Sequence, residues 1–279
     1  MASARDRLAA ALAARFQDGA AIGGACPDSE ALATMSGRGS CRDFSDRPVD
    51  PALIRALCAV ALSAPSKSDL QQRDIVVVTD PALRTRLNAL VASQPWVAAA
   101  PVLLVFCGNH ARQHLIHALR GRPFANDHLD AFFNAAVDAA IALGAFVTAA
   151  EAAGLGCCPI SAIRNEAAAV SDLLALPKRT FPVAGLGVGW PAKPASISMR
   201  LPLAATLHEN RFDAGIQAEA IESYDRARAA AQPYAAQRYA EDFGTAEEYG
   251  WSEDKARQYA KPERENFGAF VRAKGFKLD

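Results

Sequence analysis

Residues 38–44 read RGSCRDF, with Arg38, Ser40 and Arg42 on alternate positions ahead of the DRPVD that leads into a helix. An arginine presents a planar fork of donors that matches a phosphate, and a serine hydroxyl between two forks adds a short neutral donor. Taken alone, these residues admit two readings: a bound phosphate, or surface charges beside a helix start. Cys26, Cys41, Cys58, Cys107, Cys157 and Cys158 show no CxxC spacing and read as reduced, mostly buried thiols. No activating base or CxxC motif accompanies the adjacent Cys157 and Cys158. In HARQHLIH, His110, His114 and His117 fall on one helix face, but no cysteine or carboxylate stands at ligand spacing, and no metal is expected. GLGVG at 185–189 lies in a strand and opens no helix, so it is not a dinucleotide fingerprint.

The elements that must position these groups are drawn from a chain of 279 residues, 51% hydrophobic, enough to build a substantial core. Its 30 basic and 30 acidic residues cancel, which argues against a nucleic-acid partner and makes any anion site a local one. Arg15 and Asp18 interrupt the alanine-rich start before a secretory core forms. The apolar stretches 97–107 and 139–150 are too short to span a bilayer, so a soluble, cytoplasmic protein with no membrane partner is expected.

Helical composition runs over 2–16, and CPDSEALATM restarts a helix after a glycine-rich stretch. Asp50 caps a helix that has Pro51 in its first turn and ends at APS. DIVVVTD (74–80) and PVLLVFCGN (101–109) read as strands buried on both faces, with PALRTRLNALVAS helical between them. Residues 129–153 are apolar nearly all round, as in a helix buried within the protein or against a second copy. GLGCCPISAIRN is a glycine-marked turn and short apolar segment, and a helix then leads to a glycine-rich strand at 180–191, where a ligand or another backbone can approach closely. Beyond Pro202 come charged and aromatic helices, including 222–243 and SEDKARQYA.

Five blocks in order carry a resemblance: RGSCRDF, APSKSDLQQRDIVVV, SQPWVAAAPVLLVF, AAEAAGLGCCPISAIRN and FPVAGLGVGWP with MRLP. Together they resemble the FMN-dependent nitroreductase family, in its oxygen-insensitive nitroreductase and flavin reductase branch, and YGWSEDKARQYA echoes that branch near its end. The resemblance implies an α+β fold, with a central mixed β-sheet surrounded by helices in an intertwined homodimer. It also implies one domain divided into an N-terminal helical arm (1–35), an FMN-binding core (36–212) and a C-terminal helical excursion and tail (213–279). The implied activity passes a hydride from NADH or NADPH through FMN to an electron-poor small molecule, a nitroaromatic, quinone or flavin, by a ping-pong route. A reductase specialised for a single physiological substrate, or a non-catalytic flavin-binding protein, are the alternatives.

Carried residue by residue, the resemblance assigns the FMN phosphate and ribityl chain to Arg38, Gly39, Ser40, Arg42 and Arg200, with Ser198 where relatives commonly have lysine. Ser66, Ser68 and Gln71 match a loop that meets the flavin from the partner subunit, and Gln94 matches an amide at the ring edge. Read as residues alone, these are equally turn serines and loop amides. Pro159, Ile160, Ser161 and Ala162 match a stretch whose backbone amide, that of Ala162, points at the flavin N5; many relatives have glycine there, and a positive φ would suit this sequence poorly. Arg164 and Arg264 match arginines at the substrate mouth, or else serve structural ion pairs.

Overall fold

Caps and apolar spacing set the helices: Asp50 and Asp80 each accept an amide of the first turn at 2.8 and 2.7 Å, and each precedes a proline that needs no amide partner there. In chain order the helices are α1 (Ala4–Arg15), α2 (Gly19–Gly23), α3 (Glu30–Gly37), α4 (Pro51–Leu62), α5 (Pro81–Leu90), α6 (Trp96–Ala99), α7 (Ala111–Arg120), α8 (Leu129–Ala152), α9 (Ala167–Leu173), α10 (Gln217–Ala231), α11 (Ala240–Phe243), α12 (Trp251–Tyr259) and α13 (Phe267–Ala273). The strands are β1 (Arg73–Val78), β2 (Val102–Asn109), β3 (Gly156–Ile160) and β4 (Thr180–Gly189). The computed structural model describes residues 2–17 and 19–279. They form two units: Ser40–Ala195 with Arg264–Asp279, and the residues up to Gly39 with Ser196–Glu263.

The first of these units holds the sheet, in the order β1-β2-β4-β3. Every pairing among the described residues is antiparallel, which corrects the expected mixed sheet: the helices between consecutive strands return the chain so that each strand runs against its neighbour. β2 is buried on both faces as expected. β1 is an edge strand instead, with Val77 37% exposed, because β2 is its only ladder partner among the described residues. The segment GCCPI, expected as a turn and apolar stretch, is the other edge strand, β3. Pro159 is tolerated there because an edge position can spare its missing amide.

Side chains alternate across the sheet with period two. Leu104, Phe106, Leu186 and Val188 face Ile54, Leu57 and Ala61 of α4 and Ala142, Phe146 and Ala150 of α8. Leu103, Val105 and Cys107 face Leu87, Val91, Val97, Ile163 and Val170 on the other side. Between Phe106 and Cys107 the β2–β4 register slips, leaving Val183 unpaired in the ladder, and its carbonyl takes the Arg164 guanidinium instead. The 24-residue α8 is long and apolar enough to cross a membrane, so 139–150 is part of a longer apolar helix than its own length suggested. Within this fold α8 is a core helix: Ala135, Ala139, Ala142, Phe146 and the carboxylate of Asp138 are fully buried. One stripe of it, Phe133, Val137 and Ile141 at four-residue spacing, is exposed.

In the second unit, α1 begins with a reciprocal cap in which Ser3 Oγ accepts the Asp6 amide and Asp6 accepts the Ser3 amide, each at 3.1 Å. Ala4 and Leu8 of α1 bury against Ala33 of α3. Gly23 lets α2 lie on α1, since a Cβ there would come within 2.6 Å of the Ala9 Cα. α10 stops at Ala231 because Pro233 follows the next residue, which breaks the expected 222–243 run into α10 and α11. The Gln232 side chain then fixes the chain beside it, accepting from the Met199 amide at 3.1 Å and donating to the Ile197 carbonyl at 2.9 Å.

Candidate active site

The RGSCRDF stretch is held by backbone pairing. The Cys41 amide donates to the Cys157 carbonyl at 2.9 Å, and the Ser45 amide to the Trp190 carbonyl at 2.8 Å, so residues 41–45 run alongside the start of β3 and the exit of β4. This leaves the Arg42 side chain exposed at the mouth of a cavity of about 170 Å³, whose walls are Gln94 and Trp96 on one side and Cys158, Pro159, Ile160, Ser161 and Ala162 on the other. The structure therefore brings together Arg42, Gln94 and 159–162, which are distant in sequence.

Trp96 belongs to this site although its sequence gave no functional signal beyond standing in SQPW. Its indole Nε1 donates to Gln94 Oε1 at 3.1 Å, fixing which end of the amide is spent and which remains for a ligand. The Arg42 guanidinium lies 5.9 Å from the Trp96 ring centre. The ring packs onto β4 at Gly187, where a Cβ would fall 2.8 Å from the ring. Glycine in this strand is thus a seat for the indole.

Ile160 ends β3 with φ −122°, and Ser161–Arg164 turn into a short 3-10 segment whose first amides have no partner inside the turn. None of residues 159–162 takes a positive φ, so the absence of glycine here carries no backbone strain. Arg164 leaves this turn half-buried, and burial together with the neighbouring Arg264 lowers its pKa. Arg264 donates to Asn165 Oδ1 at 3.1 Å. The two guanidiniums are neighbours in the sheet-bearing unit.

Ser66, Ser68 and Gln71 do not line the cavity within one chain. They lie on a loop in which Ser68, Asp69 and Gln71 all have positive φ, at 49°, 56° and 51°. Ser66 Oγ accepts the Gln71 amide at 3.2 Å. What holds so bent a loop is Asp138 of α8, which is fully buried and accepts the Lys67 amide at 3.0 Å and the Gln72 amide at 2.9 Å. The Arg73 guanidinium stands 3.9 Å from the same carboxylate and donates to the Leu62 and Ala64 carbonyls. Sequence reasoning missed Asp138, because a single acid in an apolar helix has no local signature.

Of the remaining candidates, Arg38, Gly39, Ser198 and Arg200 lie in the other unit. Arg38 follows α3 as its C-cap, and Gly39 beside it is buried. Arg200 donates to Ser198 Oγ at 2.7 Å, and these two residues line a second cavity, of about 570 Å³, together with Arg15, Arg228, Tyr224 and Trp251. Ser40 opens the sheet-bearing unit and is exposed. His110, His114 and His117 do share a face, on α7 and its cap, where they gather around the Phe124 ring at 5.1, 4.3 and 5.0 Å. Among the described residues no cluster of three or more histidine, cysteine or acidic side chains is placed to hold a metal.

Residues 35–190 match the sequence pattern of the nitroreductase family, and residues 198–279 match that family's C-terminal domain. The chain belongs to the nitroreductase family. It is 38% identical over 185 residues to the oxygen-insensitive NADPH nitroreductase of Salmonella typhimurium, spanning 66% of this chain and 75% of that one. It is 33% identical over 188 residues to the FMN reductase (NAD(P)H) of Bacillus subtilis, again 66% of this chain and 75% of the relative. The solved structure of NfrA2 from B. megaterium superposes with a TM-score of 0.81 at 30% identity, covering 90% of this chain and 99% of that one. Within this nitroreductase, residues 1–34 lie outside both family matches.

Proposed function

We propose that this nitroreductase binds FMN and passes a hydride from NADH or NADPH to an electron-poor small molecule, a nitroaromatic, quinone or flavin. The observation that carries the reading is the convergence of Arg42, Gln94 and the 159–162 backbone on one cavity, in a chain similar to an FMN reductase and a nitroreductase. The residues present suit the group. Arg42 has an aromatic ring rather than a carboxylate beside it among the described residues, so its charge is available to an anion. The amides at the start of the 161–164 turn, which no side chain caps, would be donors for a ring that gains negative charge.

When bound, FMN supplies the redox chemistry. The chain binds, orients and shields. By the family pattern, the phosphate and ribityl chain would be held by Arg38, Gly39, Ser40, Arg42, Ser198 and Arg200, and Gln94 would meet the ring edge. With FMN bound, the Ala162 amide would be the donor to the flavin ring, and Arg164 and Arg264 would receive the substrate. Because donor and acceptor use one cavity, they bind in turn, which is ping-pong behaviour.

The working unit is a homodimer. A cavity of about 170 Å³ is smaller than the roughly 300–1,000 Å³ of ordinary ligand sites, so one chain supplies only part of the pocket. A second copy covers the exposed Phe133–Val137–Ile141 stripe and contributes Ser66, Ser68 and Gln71 from the loop braced by Asp138. We place the enzyme in the cytoplasm, where its six free cysteines stay reduced.

The test is anaerobic mixing of the yellow protein with NADH or NADPH. One FMN per chain should bleach and recover on adding a quinone, with parallel double-reciprocal plots, and sedimentation should show a dimer at nanomolar concentration. Recovery of FAD, or flavin that reduced nicotinamide leaves unbleached, refutes the assignment; the latter makes the protein a non-catalytic flavin carrier.

A further inference from the structure

Arg15 closes α1 and is only 8% exposed, an unusual burial for an arginine. Its guanidinium donates to the Ser36 carbonyl at 3.2 and 2.8 Å, to the Arg38 carbonyl at 2.6 Å and to the Ser198 carbonyl at 3.3 Å. Its own carbonyl accepts the Arg200 amide at 2.7 Å. One residue thus ties two segments 160 positions apart, and each carries a cation assigned to the cofactor phosphate. These bonds all reach backbone atoms, so they fix where Arg38 and Arg200 leave the chain. Arg15 also lines the 570 Å³ cavity beside Ser198 and Arg200.

We infer that Arg15 is a positioning residue for phosphate recognition, supplied by an N-terminal arm that lies outside both family matches. The inference rests on the proposed role of Arg38 and Arg200 at the FMN phosphate. The planar fork suits the task, since it meets several carbonyls in fixed directions, which a flexible ammonium does less well. The arm is held for this purpose by Leu8 and Ala4 against Ala33 and by the Ser3–Asp6 cap.

Phosphate positioning and general scaffolding separate when two flavins are compared, FMN and riboflavin, which lacks the phosphate. Full-length apoprotein is titrated with each by fluorescence quenching, for wild type, Arg15→Met and Arg15→Lys. Arg15→Met should weaken FMN by at least tenfold with riboflavin changed less than twofold, and Arg15→Lys should recover part of the difference. If Arg15→Met does not fold, Arg15→Lys carries the test, with a several-fold loss confined to FMN. An unchanged FMN-to-riboflavin ratio in the variants, or an equal loss of both ligands, overturns the inference while leaving the proposed function standing. Wild type that fails to prefer FMN overturns the phosphate assignment, and this inference with it.

Discussion

Replacing Asp138 with alanine should destabilise the protein far more than removing its charged neighbour. The carboxylate is fully buried and accepts two backbone amides at 3.0 and 2.9 Å, whereas Arg73 approaches it only to 3.9 Å. Hydrogen bonds to a charged acceptor contribute about 1.5–3 kcal/mol each, and Asp138→Ala removes two of them. Asp138→Ala should therefore lose about 3–5 kcal/mol, or on the order of 10 °C in Tm for a chain of this size. Arg73→Met should cost less, about 1–3 kcal/mol, since it leaves two carbonyls rather than two amides and a charge without partners. Calorimetry and urea titration of both variants and the double variant measure this. The double variant should stay near Asp138→Ala, because the Lys67 and Gln72 amides remain unsatisfied in it. If adding Arg73→Met instead restored most of the loss, the ion pair would be the principal interaction and the bracing of the 66–72 loop by amides would be wrong. The variant should also bind FMN more weakly, since the loop carrying Ser66, Ser68 and Gln71 loses its anchor.

Arg42→Ala should release most of the flavin from a folded dimer, read by absorbance after desalting, because it removes a charge-assisted anion contact and no core packing; normal flavin content returns Arg42 to an ordinary surface charge. Arg264→Ala should raise the acceptor KM several-fold with flavin retained, and loss of flavin would contradict its place at the substrate mouth. His110 has its pKa lowered to about 4 by burial, with His114 and Arg179 adding to the effect and Asp127 opposing it. It stays neutral when folded, so the unfolded chain takes up its proton first below about pH 6.5, and stability falls by up to about 3 kcal/mol by pH 4. Asp127, lowered to about 2 mainly by its bond to Arg179, loses its contribution only below its ordinary value of 3.8. His110→Gln should therefore flatten stability between pH 6.5 and 4, and an unchanged slope there refutes the assignment. For the nicotinamide, NADH should serve at least as well as NADPH: Glu247, Glu248 and Glu253 line one recess, Lys255 is engaged by Asp254 at 2.6 Å, and the buried Arg257 by Glu253 at 2.7 Å. A tenfold NADPH preference in kcat/KM that fades with salt would show other cations at the 2′-phosphate.

The helices α4 and α5 were legible because an Asp-Pro pair opens each of them, and β2 because its apolar run VLLVFC, bounded by Pro101 and by Gly108 and Asn109, has few alternatives. β3 was not, since five residues containing a proline give no period to read. The candidate site was legible only through the order of its blocks: nothing in the local pattern links Arg42 to Gln94 or to Ala162. The supports were hidden for a related reason. Asp138 meets its partners 66 and 71 positions away, and Arg15 meets Ser198 183 positions away, so neither leaves a local trace. Trp96 was hidden as well, because its seat is made by the missing side chain of Gly187.

The separation of Arg15 from Ser198 also has a meaning in time. At about 5–20 residues per second, a ribosome takes roughly 10–40 s to pass from one to the other. For most of that interval the partners of α1 within the first 38 residues, its cap, Ala33 of α3 and the carbonyls of Ser36 and Arg38, have already been made. The arm can mature while most of the enzyme is still unmade, yet the backbone tie to Ser198 and Arg200 closes only after residue 200 emerges. The set of bonds around Arg15 is thereby completed late in the life of the nascent chain, and a truncation upstream of residue 198 leaves Arg15 without its Ser198 and Arg200 partners.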